Sequence, residues 1–509
     1  MPLAEHGAKW AGLPSPGQTI MEAMSTLNVL IGAFPVHLAS RPVQANEAML
    51  VTNYPEAAAT HGYSSNWAKF PCCESFYSHF VEFNTGPVAC INVLDRNNLA
   101  HTVVKSDVEL AINVQSDGRI EPVMLPDDFV LRDTVALKNS DGTQAYEEDV
   151  DYTLSLDDDG RVLMHPIVGG GILEAYAANI TVALKASYTC LNPDGVTVAD
   201  IIGGIDLNTG KRKGLELLGQ INAKYGDPYI PMYTIAPGFS DNVNAAAVLQ
   251  AKTEKINGMY GCMTLLDIDC GTNGAKWYQE ALAKKKANGL DSENAIALWP
   301  KLRSGENIMH FSTRLGAALA YLSETTGRGT PRETPSSKPI LRITNTCLAD
   351  GTEINVQQDE AELLNVNGIV TAIRTDLMVP FGNYTCAASR TNDPALYQIT
   401  LRSMVIWIGN TCVMNVRRRV DNLERIELVT ETLSLFNGWL SGLTGLRSVA
   451  PGTQALFREQ DNPDVDLRNG KMRIYIDYGG YIPAQVIEVL IGYNDQHMLN
   501  ELRGGMSNG

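Results

Sequence analysis

Residues 204–212 have the residue types of a phosphate-binding loop, with two glycines ahead of Lys211. Five residues separate Gly204 from Gly210 where four are required, and Arg212 stands where a Ser or Thr hydroxyl would bind magnesium. Successive backbone amides must follow one curvature to hold a phosphate, so an error of one residue matters. We therefore interpret this segment as a structural turn.

Residues 238–242 lie between a predicted strand and a predicted helix, as a nucleophile elbow does. Ser240 takes the place of the nucleophile, but Asn242 replaces the second glycine that lets such a turn close. A serine nucleophile also needs a histidine base, and none of the eight histidines has a telling sequence context. We interpret Ser240 and Asp241 as helix-capping residues. A hydrolase or nucleotide-binding enzyme that uses Ser240 or Lys211 is the alternative to a structural protein.

Composition narrows the possible functions further. The sequence has no Cys-x-x-Cys, no His-x-x-x-His and no complete EF-hand loop, so we predict no metal and no cofactor. With 40 Lys and Arg against 57 Asp and Glu, the net charge of −17 argues against a nucleic-acid-binding surface. We predict no secretory signal and no membrane-spanning run. Nine cysteines without regular spacing suit a reducing compartment, so we expect synthesis in the cytoplasm.

Hydrophobic periodicity predicts the elements that would position these residues. Apolar runs alternate with helical patterns from residue 196 onwards, an order that a parallel sheet with right-handed crossovers satisfies. Between residues 101 and 195, apolar and polar residues alternate with a period of two, which predicts an inserted all-β domain. Asp393 and Pro394 fit the N-cap and first position of a later helix. We predict an α/β, multidomain protein made of an N-terminal arm (1–32), an α/β core (33–100 and 196–345), the β insertion (101–195), an α+β C-terminal domain (346–482) and a C-terminal arm (483–509).

The last residues of the chain have a pattern of their own. Residues 467–478 read as a turn and an alternating strand, and residues 485–492 form a second strand-like run that is apolar and nearly uncharged. Pro483 lies between them and cannot donate a ladder hydrogen bond, so the two runs are not one continuous strand. Such a run, exposed near a chain end, is an aggregation hazard. We predict that it adds a strand to the sheet of another subunit.

Several segments, taken in their order, are similar to a known family. They are residues 200–215, residues 235–240, the Trp-Pro strand end at 298–300, residues 367–385 and residues 462–478. In this order they resemble the sheath proteins of contractile phage tails, over most of the chain apart from the β insertion. Tyr384 departs from the family, which often has an arginine at this point. The resemblance does not separate a complete phage from a phage-tail-like bacteriocin or a secretion device.

The resemblance implies a structural, non-enzymatic protein. Sheath subunits stack as six-membered rings around a tail tube, exchange terminal strands with their neighbours, and contract to drive the tube through the host cell envelope for genome ejection. The implied partners are further copies of this chain and the tube, baseplate and tail terminator proteins, without nucleic acid or membrane insertion. The implied location is the tail sheath of the virion, after assembly in the host cytoplasm. A non-contractile structural module of similar topology is a further possibility.

The resemblance also implies where the subunit makes its contacts. The β insertion would lie on the outer surface and the C-terminal domain next to the tube. A basic triplet follows an apolar helix and is predicted to face the tube, the alternative being a solvated helix end; it consists of Arg417, Arg418 and Arg419. The predicted contacts of the arms with other subunits are Ile20, Met21, Val486, Ile487, Val489, Leu490 and Ile491.

Overall fold

The structure is a computed structural model that describes residues 20–115, 120–173, 180–421 and 426–506. Residues 1–19 of the predicted N-terminal arm therefore lie outside the described residues.

The first described part of the chain contains β1 (Asn28–Gly32), β2 (Ala48–Val51), α1 (Tyr54–Thr60), α2 (Cys72–Phe76) and β3 (Val88–Asn92). The described residues that follow it, up to residue 195, form strands and single turns of 3-10 helix: β4 (Thr102–Asn113), β5 (Val123–Met124), β6 (Ala136–Asn139), β7 (Ala145–Tyr146), β8 (Tyr152–Leu156), β9 (Val162–Pro166) and β10 (Thr181–Leu191).

Strands and helices alternate through the rest of the chain. The next part contains α3 (Val198–Ile202), β11 (Gly204–Ile205), β12 (Arg212–Lys213), α4 (Leu218–Tyr225), β13 (Tyr233–Ile235), α5 (Val243–Glu254), β14 (Met263–Asp267), α6 (Tyr278–Ala287), β15 (Ala295–Leu298), β16 (Lys301–Ser304), β17 (Asn307–Met309) and α7 (Phe311–Glu324). The last part contains β18 (Asn345–Cys347), β19 (Glu353–Ile354), α8 (Gln358–Val366), β20 (Ile369–Arg374), β21 (Met378–Phe381), α9 (Pro394–Tyr397), α10 (Ile399–Arg417), α11 (Ile426–Gly445), β22 (Gln454–Leu456), α12 (Asp464–Arg468), β23 (Tyr475–Asp477) and α13 (Asp495–Met506).

The centre of the molecule is an eight-stranded sheet in the order β2–β3–β1–β13–β14–β15–β20–β21. The six inner strands run parallel, and the edge strands β2 and β21 are antiparallel to their neighbours. Every residue of β1 and of β14 is buried, as expected for parallel strands that are covered on both faces. This sheet agrees with the predicted alternation of strands and helices.

Two predicted boundaries need correction. β1 lies within the range assigned to the N-terminal arm, yet it pairs with β3 and β13 at the centre of the sheet. β20 and β21 lie within the range assigned to the C-terminal domain, yet β20 pairs with β15 and extends the same sheet. An apolar run has the same sequence pattern in an arm, in a separate domain and in a parallel sheet, because the strands that it pairs with are distant in sequence.

The C-terminal helices pack on this sheet and share its core. Trp407 of α10 and Phe436 and Leu440 of α11 belong to the same buried cluster as the sheet residues. The Asn410 side chain accepts a hydrogen bond from the Gly261 amide at 2.9 Å and donates one to the Gly261 carbonyl at 2.8 Å. Because Gly261 lies two residues before the start of β14, these bonds fix α10 to the sheet.

The residues between β4 and β10 form a body with a core of its own. The long antiparallel strands β4 and β10 carry the chain out and back. Two sheets, β4–β10–β6–β7 and β5–β9–β8, enclose a buried cluster separate from that of the main sheet. Along β10, Leu184, Ala186 and Tyr188 are buried in turn, which is the predicted period of two. The Phe129 ring contacts the main body, with its centroid 5.2 Å from that of Phe70.

Three buried histidines make the stability of the main body depend on pH. Burial lowers the pKa of His37 to about 3, and it lowers the pKa of His61 and of His79 to about 4. The ordinary pKa of a histidine is about 6.5, so below that pH the unfolded chain binds more protons than the folded chain. We expect the free energy of unfolding to fall as the pH falls from about 6.5 towards 4, by up to about 1.4 kcal/mol per pH unit for each histidine.

Denaturant unfolding at several pH values between 4 and 7 (about the range of a histidine titration) measures this dependence. His37→Gln should reduce the slope of the unfolding free energy against pH by about one proton. His497→Gln is the matched control, because His497 is exposed, and it should leave the slope unchanged. Equal slopes for the wild type and His37→Gln would contradict the expectation.

Candidate functional site

After β23 the chain leaves the core along a segment that we call the C-terminal run, residues 482–494. This run forms neither helix nor strand in the described chain. The five arm contacts predicted within it are exposed, from 76% for Val486 to 92% for Ile491. Monomeric proteins rarely leave a contiguous apolar stretch of this kind in water, and such stretches mark interaction surfaces.

A two-stranded sheet fixes the root of the C-terminal run. β22 and β23 pair antiparallel, and within the described residues each has one unpaired edge. The Ala450 amide donates to the Gly479 carbonyl at 2.8 Å, just after β23. The Tyr384 hydroxyl donates to the Gln485 side-chain oxygen at 3.3 Å. Tyr384, the residue that departs from the family pattern, therefore contacts the start of the C-terminal run.

The helix α13, which follows the C-terminal run, was not predicted from the sequence. Met498 and Leu502 of this helix are 51% and 53% exposed. Their spacing of four residues, with Leu499 between them, is the signal that predicts an amphipathic helix. The apolar residues just before the helix follow a strand-like pattern instead, and that pattern conceals the helical spacing.

Ile20 and Met21 lie against α10 of their own chain. The Asn415 side chain accepts a hydrogen bond from the Met21 amide at 3.2 Å and donates to the Met21 carbonyl at 2.8 Å. The Trp407 indole donates to the Ala23 carbonyl at 2.7 Å. These bonds anchor the N-terminal segment within the subunit, and contacts of Ile20 and Met21 with another subunit stay a prediction.

The predicted tube-facing arginines lie at the end of α10. Arg417 and Arg418 are exposed, and Arg419 is half-buried. Arg418 lies 3.5 Å from the Asp227 carboxylate, and Arg419 lies 3.7 Å from that of Glu431. Ion pairs at this exposure contribute little to stability, about 0–1 kcal/mol each. A contact of this triplet with a tube stays a prediction.

The segment around Lys211 is a turn, as interpreted from the sequence. Lys211 is exposed in the loop that joins β11 to β12. The Asp206 amide donates to the Lys211 carbonyl at 2.8 Å, and the Gly210 amide donates to the Asp206 carbonyl at 2.7 Å. These amides are used within the hairpin, so they do not converge on a phosphate.

Ser240 is buried and holds the end of β14. The Ser240 hydroxyl donates a hydrogen bond to Asp267 Oδ2 at 3.2 Å, and it accepts one from the Asp267 amide at 3.1 Å. An activated serine nucleophile needs a base such as histidine at this distance, and here the partner is an aspartate. The predicted capping role of Ser240 and Asp241 is wrong. The N-cap of α5 is Asn242, because the hydroxyl of Ser240 is turned inward by Asp267.

Two buried carboxylates cap the start of α7. Asp267 accepts a hydrogen bond from the Ser312 amide at 3.0 Å, and Glu74 accepts one from the His310 amide at 2.7 Å. The His310 ring lies 2.9 Å from Glu74 and 3.0 Å from the Lys301 ammonium. The first amides of a helix have no partner within the helix, so this network satisfies them. Sequence patterns do not reveal it, since its members come from four separate elements.

Within residues 20–115, 120–173, 180–421 and 426–506, no group of three or more His, Cys, Asp or Glu side chains has the arrangement of a metal site. Among the helices in these ranges, none is both long and apolar enough to cross a bilayer.

The fold is that of contractile sheaths. The chain superposes on the helical sheath of the anti-feeding prophage in its contracted state with a TM-score of 0.54, covering 96% of this chain and 99% of that one at 12% identity. The contracted PVC sheath complex of an extracellular contractile injection system gives a TM-score of 0.53, covering 98% and 99% at 8% identity. At such identities the likeness shows the fold alone.

Two curated relatives are also similar in sequence. The tail sheath protein of Burkholderia phage BcepMu is 22% identical over 520 residues, which cover 98% of each chain. The tail sheath protein of Escherichia phage P2 is 22% identical over 321 residues, 61% of this chain and 75% of that one. No protein-family model matches the chain. The predicted resemblance to contractile phage tail sheath proteins is confirmed, and with it the expectation of a structural rather than an enzymatic role.

Replacing the two candidate catalytic residues distinguishes a structural from a chemical role. Ser240→Ala should lower the free energy of unfolding by about 1–3 kcal/mol, because Asp267 loses a buried donor. Lys211→Ala should change it by less than about 0.5 kcal/mol, because Lys211 is exposed in a turn. Urea denaturation measures both values. A folded Ser240→Ala chain that loses an esterase or nucleotidase activity of the wild type would contradict the structural role.

Proposed function

We propose that this chain is the subunit of a contractile tail sheath. Copies stack as six-membered rings around a tail tube, and the sheath contracts to drive the tube through the host cell envelope for genome ejection. The observation that carries the proposal is similarity to a phage tail sheath protein over 98% of both chains. The exposed C-terminal run supports it, because such a run needs a partner that the monomer does not supply.

Residues 483–509 act as the C-terminal arm. The C-terminal run forms neither helix nor strand in the single chain, which leaves its backbone groups available to a neighbouring sheet. Each backbone hydrogen bond contributes about 0.5–1.5 kcal/mol, so a strand of several residues links two subunits firmly. β22 and β23 present unpaired edges next to the root of the run, which suits them to receive such a strand. An N-terminal arm precedes the anchor of Met21 on α10.

The two largest hydrophobic clusters support a proposed arrangement of the subunit. The main sheet and the C-terminal helices, which share one of these clusters, move as a single body and form the inner layer. The β insertion has a separate core and is carried on two strands, so it sits on the outside without altering the inner layer. Arg417, Arg418 and Arg419 face the tube.

Contraction then requires that the subunits rotate as rigid bodies while the arms keep them connected.

The partners of the subunit are further copies of itself and the tube, baseplate and tail terminator proteins. The subunit assembles in the host cytoplasm and ends in the tail sheath of the virion. Similarity in sequence to sheath proteins of two phages favours a phage over an injection device.

Electron microscopy of the chain mixed with its tube protein tests the proposal. We expect cylinders with a regular helical repeat from the full chain. Deletion of residues 483–509 should leave a subunit with an unchanged unfolding transition that forms no cylinders. Absence of cylinders from the full chain with its tube would contradict the sheath function, and normal cylinders from the truncated chain would contradict the arm.

A matched pair of substitutions tests the arm without a deletion. Val489→Asp places a charge in the C-terminal run, where Val489 is 78% exposed, and should abolish cylinders. Val465→Asp places the same charge at a valine on α12 that is 65% exposed, and should allow them. Equal assembly by the two variants would show that the run is not an interface.

A further inference from the structure

A groove with a volume of about 680 Å³ lies beside the root of the C-terminal run. Its walls come from the loop after α7, from the first turns of α10, from the end of α11 and from Tyr478 and Tyr481. Leu446 and Tyr481, which are 39% and 52% exposed, contribute apolar surface to it, above the buried Leu401 and Met404 of α10. The groove is therefore large enough for several side chains and has both apolar and polar walls.

Three arginines meet in this groove, although the chain as a whole has a net charge of −17. Arg332 is occupied: it donates to the Ser448 hydroxyl at 3.1 Å and to the Thr326 carbonyl at 2.8 Å, and it lies 3.4 Å from Glu333. Arg328 and Arg447 are exposed, and neither forms an ion pair with any residue the structure describes. The groove thus offers two guanidinium groups to a carboxylate.

Both of these arginines have an unusual backbone conformation. Arg328 has φ of 53° and Arg447 has φ of 57°, both in the left-handed region that glycine normally fills. Such conformations persist in non-glycine residues when the surrounding structure imposes them, and they occur often at binding sites. The carbonyl of Leu446, next to Arg447, accepts a hydrogen bond from Arg332, which connects the two walls.

Helix α13 has the complementary features. Asp495, Met498, Leu499 and Leu502 follow the i, i+3, i+4, i+7 spacing of one helix face. Met498 and Leu502 are 51% and 53% exposed, so this face has no full cover in the single chain. It therefore combines one carboxylate with three apolar side chains, and Asn500 lies on the opposite face.

We infer that the groove binds helix α13 of a second copy of this chain. Met498, Leu499 and Leu502 enter the apolar part beside Leu446 and Tyr481, and Asp495 pairs with Arg447 or Arg328. This is recognition of an amphipathic helix by a groove, added to the strand exchange of the C-terminal run. The inference rests on the proposed function, which supplies the second copy.

The length of the C-terminal run lets the helix come from another copy. Fourteen residue steps join Tyr481, at the groove, to Asp495, at the start of the helix. Fully extended, they span about 45 Å, more than the diameter of a small domain. When the run pairs with another subunit's sheet, it carries α13 away from its own groove and leaves that groove open to a neighbour's helix.

Cross-linking between two differently labelled chains tests the inference. One chain carries Arg447→Cys and the other Leu502→Cys, and they are assembled together with the tube protein and treated with a short bismaleimide. We expect a covalent dimer of two 55.3 kDa chains in the mixture and in neither chain alone. Eight native cysteines are buried and Cys412 is half-buried, so the background is low. Asn500→Cys in place of Leu502→Cys is the matched control, and it should cross-link several-fold less.

A charge exchange gives a second, independent readout. Arg447→Glu should raise the protein concentration needed for assembly about tenfold, the effect of about 1.4 kcal/mol. Adding Asp495→Arg to that chain should restore assembly, because the pair is re-formed with opposite signs. Arg212→Glu removes an exposed arginine of the β11–β12 hairpin and is the control that should leave assembly unchanged. Failure of the second substitution to restore assembly would overturn the pairing.

The outcomes separate this inference from the proposed function. If the full chain forms cylinders but the mixture gives no covalent dimer, the groove inference fails and the sheath function stands. If a chain that carries both cysteines forms the cross-link only within one molecule, the groove binds the helix of its own chain and binding of a second copy is excluded. If the full chain forms no cylinders with its tube, the proposed function fails.

Discussion

A parallel sheet is stable only when both of its faces are covered by other parts of the chain, and most of this structure follows from that requirement. Helix α7 comes so close to the sheet that a Cβ atom added at Gly316 would lie 2.4 Å from the Ile235 Cδ1 atom. Helix α10 approaches β14 through Asn410. As a result, buried residues as far apart in sequence as Ala23 and Ala455 belong to one core, which the sheet and the C-terminal helices share.

The buried polar residues whose types resemble catalytic groups stabilise this same part of the subunit. Glu74 and Asp267 accept hydrogen bonds from the first amides of α7, the helix that covers β1, β13 and β14. Ser240 supplies a further donor to Asp267, and His310 is held by Glu74. Burial makes each unpaired polar group costly, so these side chains are fully engaged with one another rather than with a substrate.

The residues that we propose to connect subunits are among those that the main body leaves exposed. The C-terminal run exposes apolar side chains and backbone groups together, a combination that a second sheet satisfies. The groove of Arg328 and Arg447 lies next to the point where this run leaves the core. A rigid body with extended connections at one place is well suited to rotate without losing its neighbours. The β insertion, with its separate core, does not interfere with either property.

The sequence by itself determined the features that depend on local period and local capping. The β insertion follows from alternation, the start of α9 follows from Asp393, whose side chain accepts from the Ala395 amide at 2.9 Å, and the exposed C-terminal run follows from its apolar residues. Only the tertiary structure decided that β1 is central, that β20 continues the sheet and that Ser240 points inward. These features depend on non-local partners, 27 residues apart for Ser240 and Asp267 and 384 for Trp407 and Ala23, and no local pattern records which distant residues will pack together.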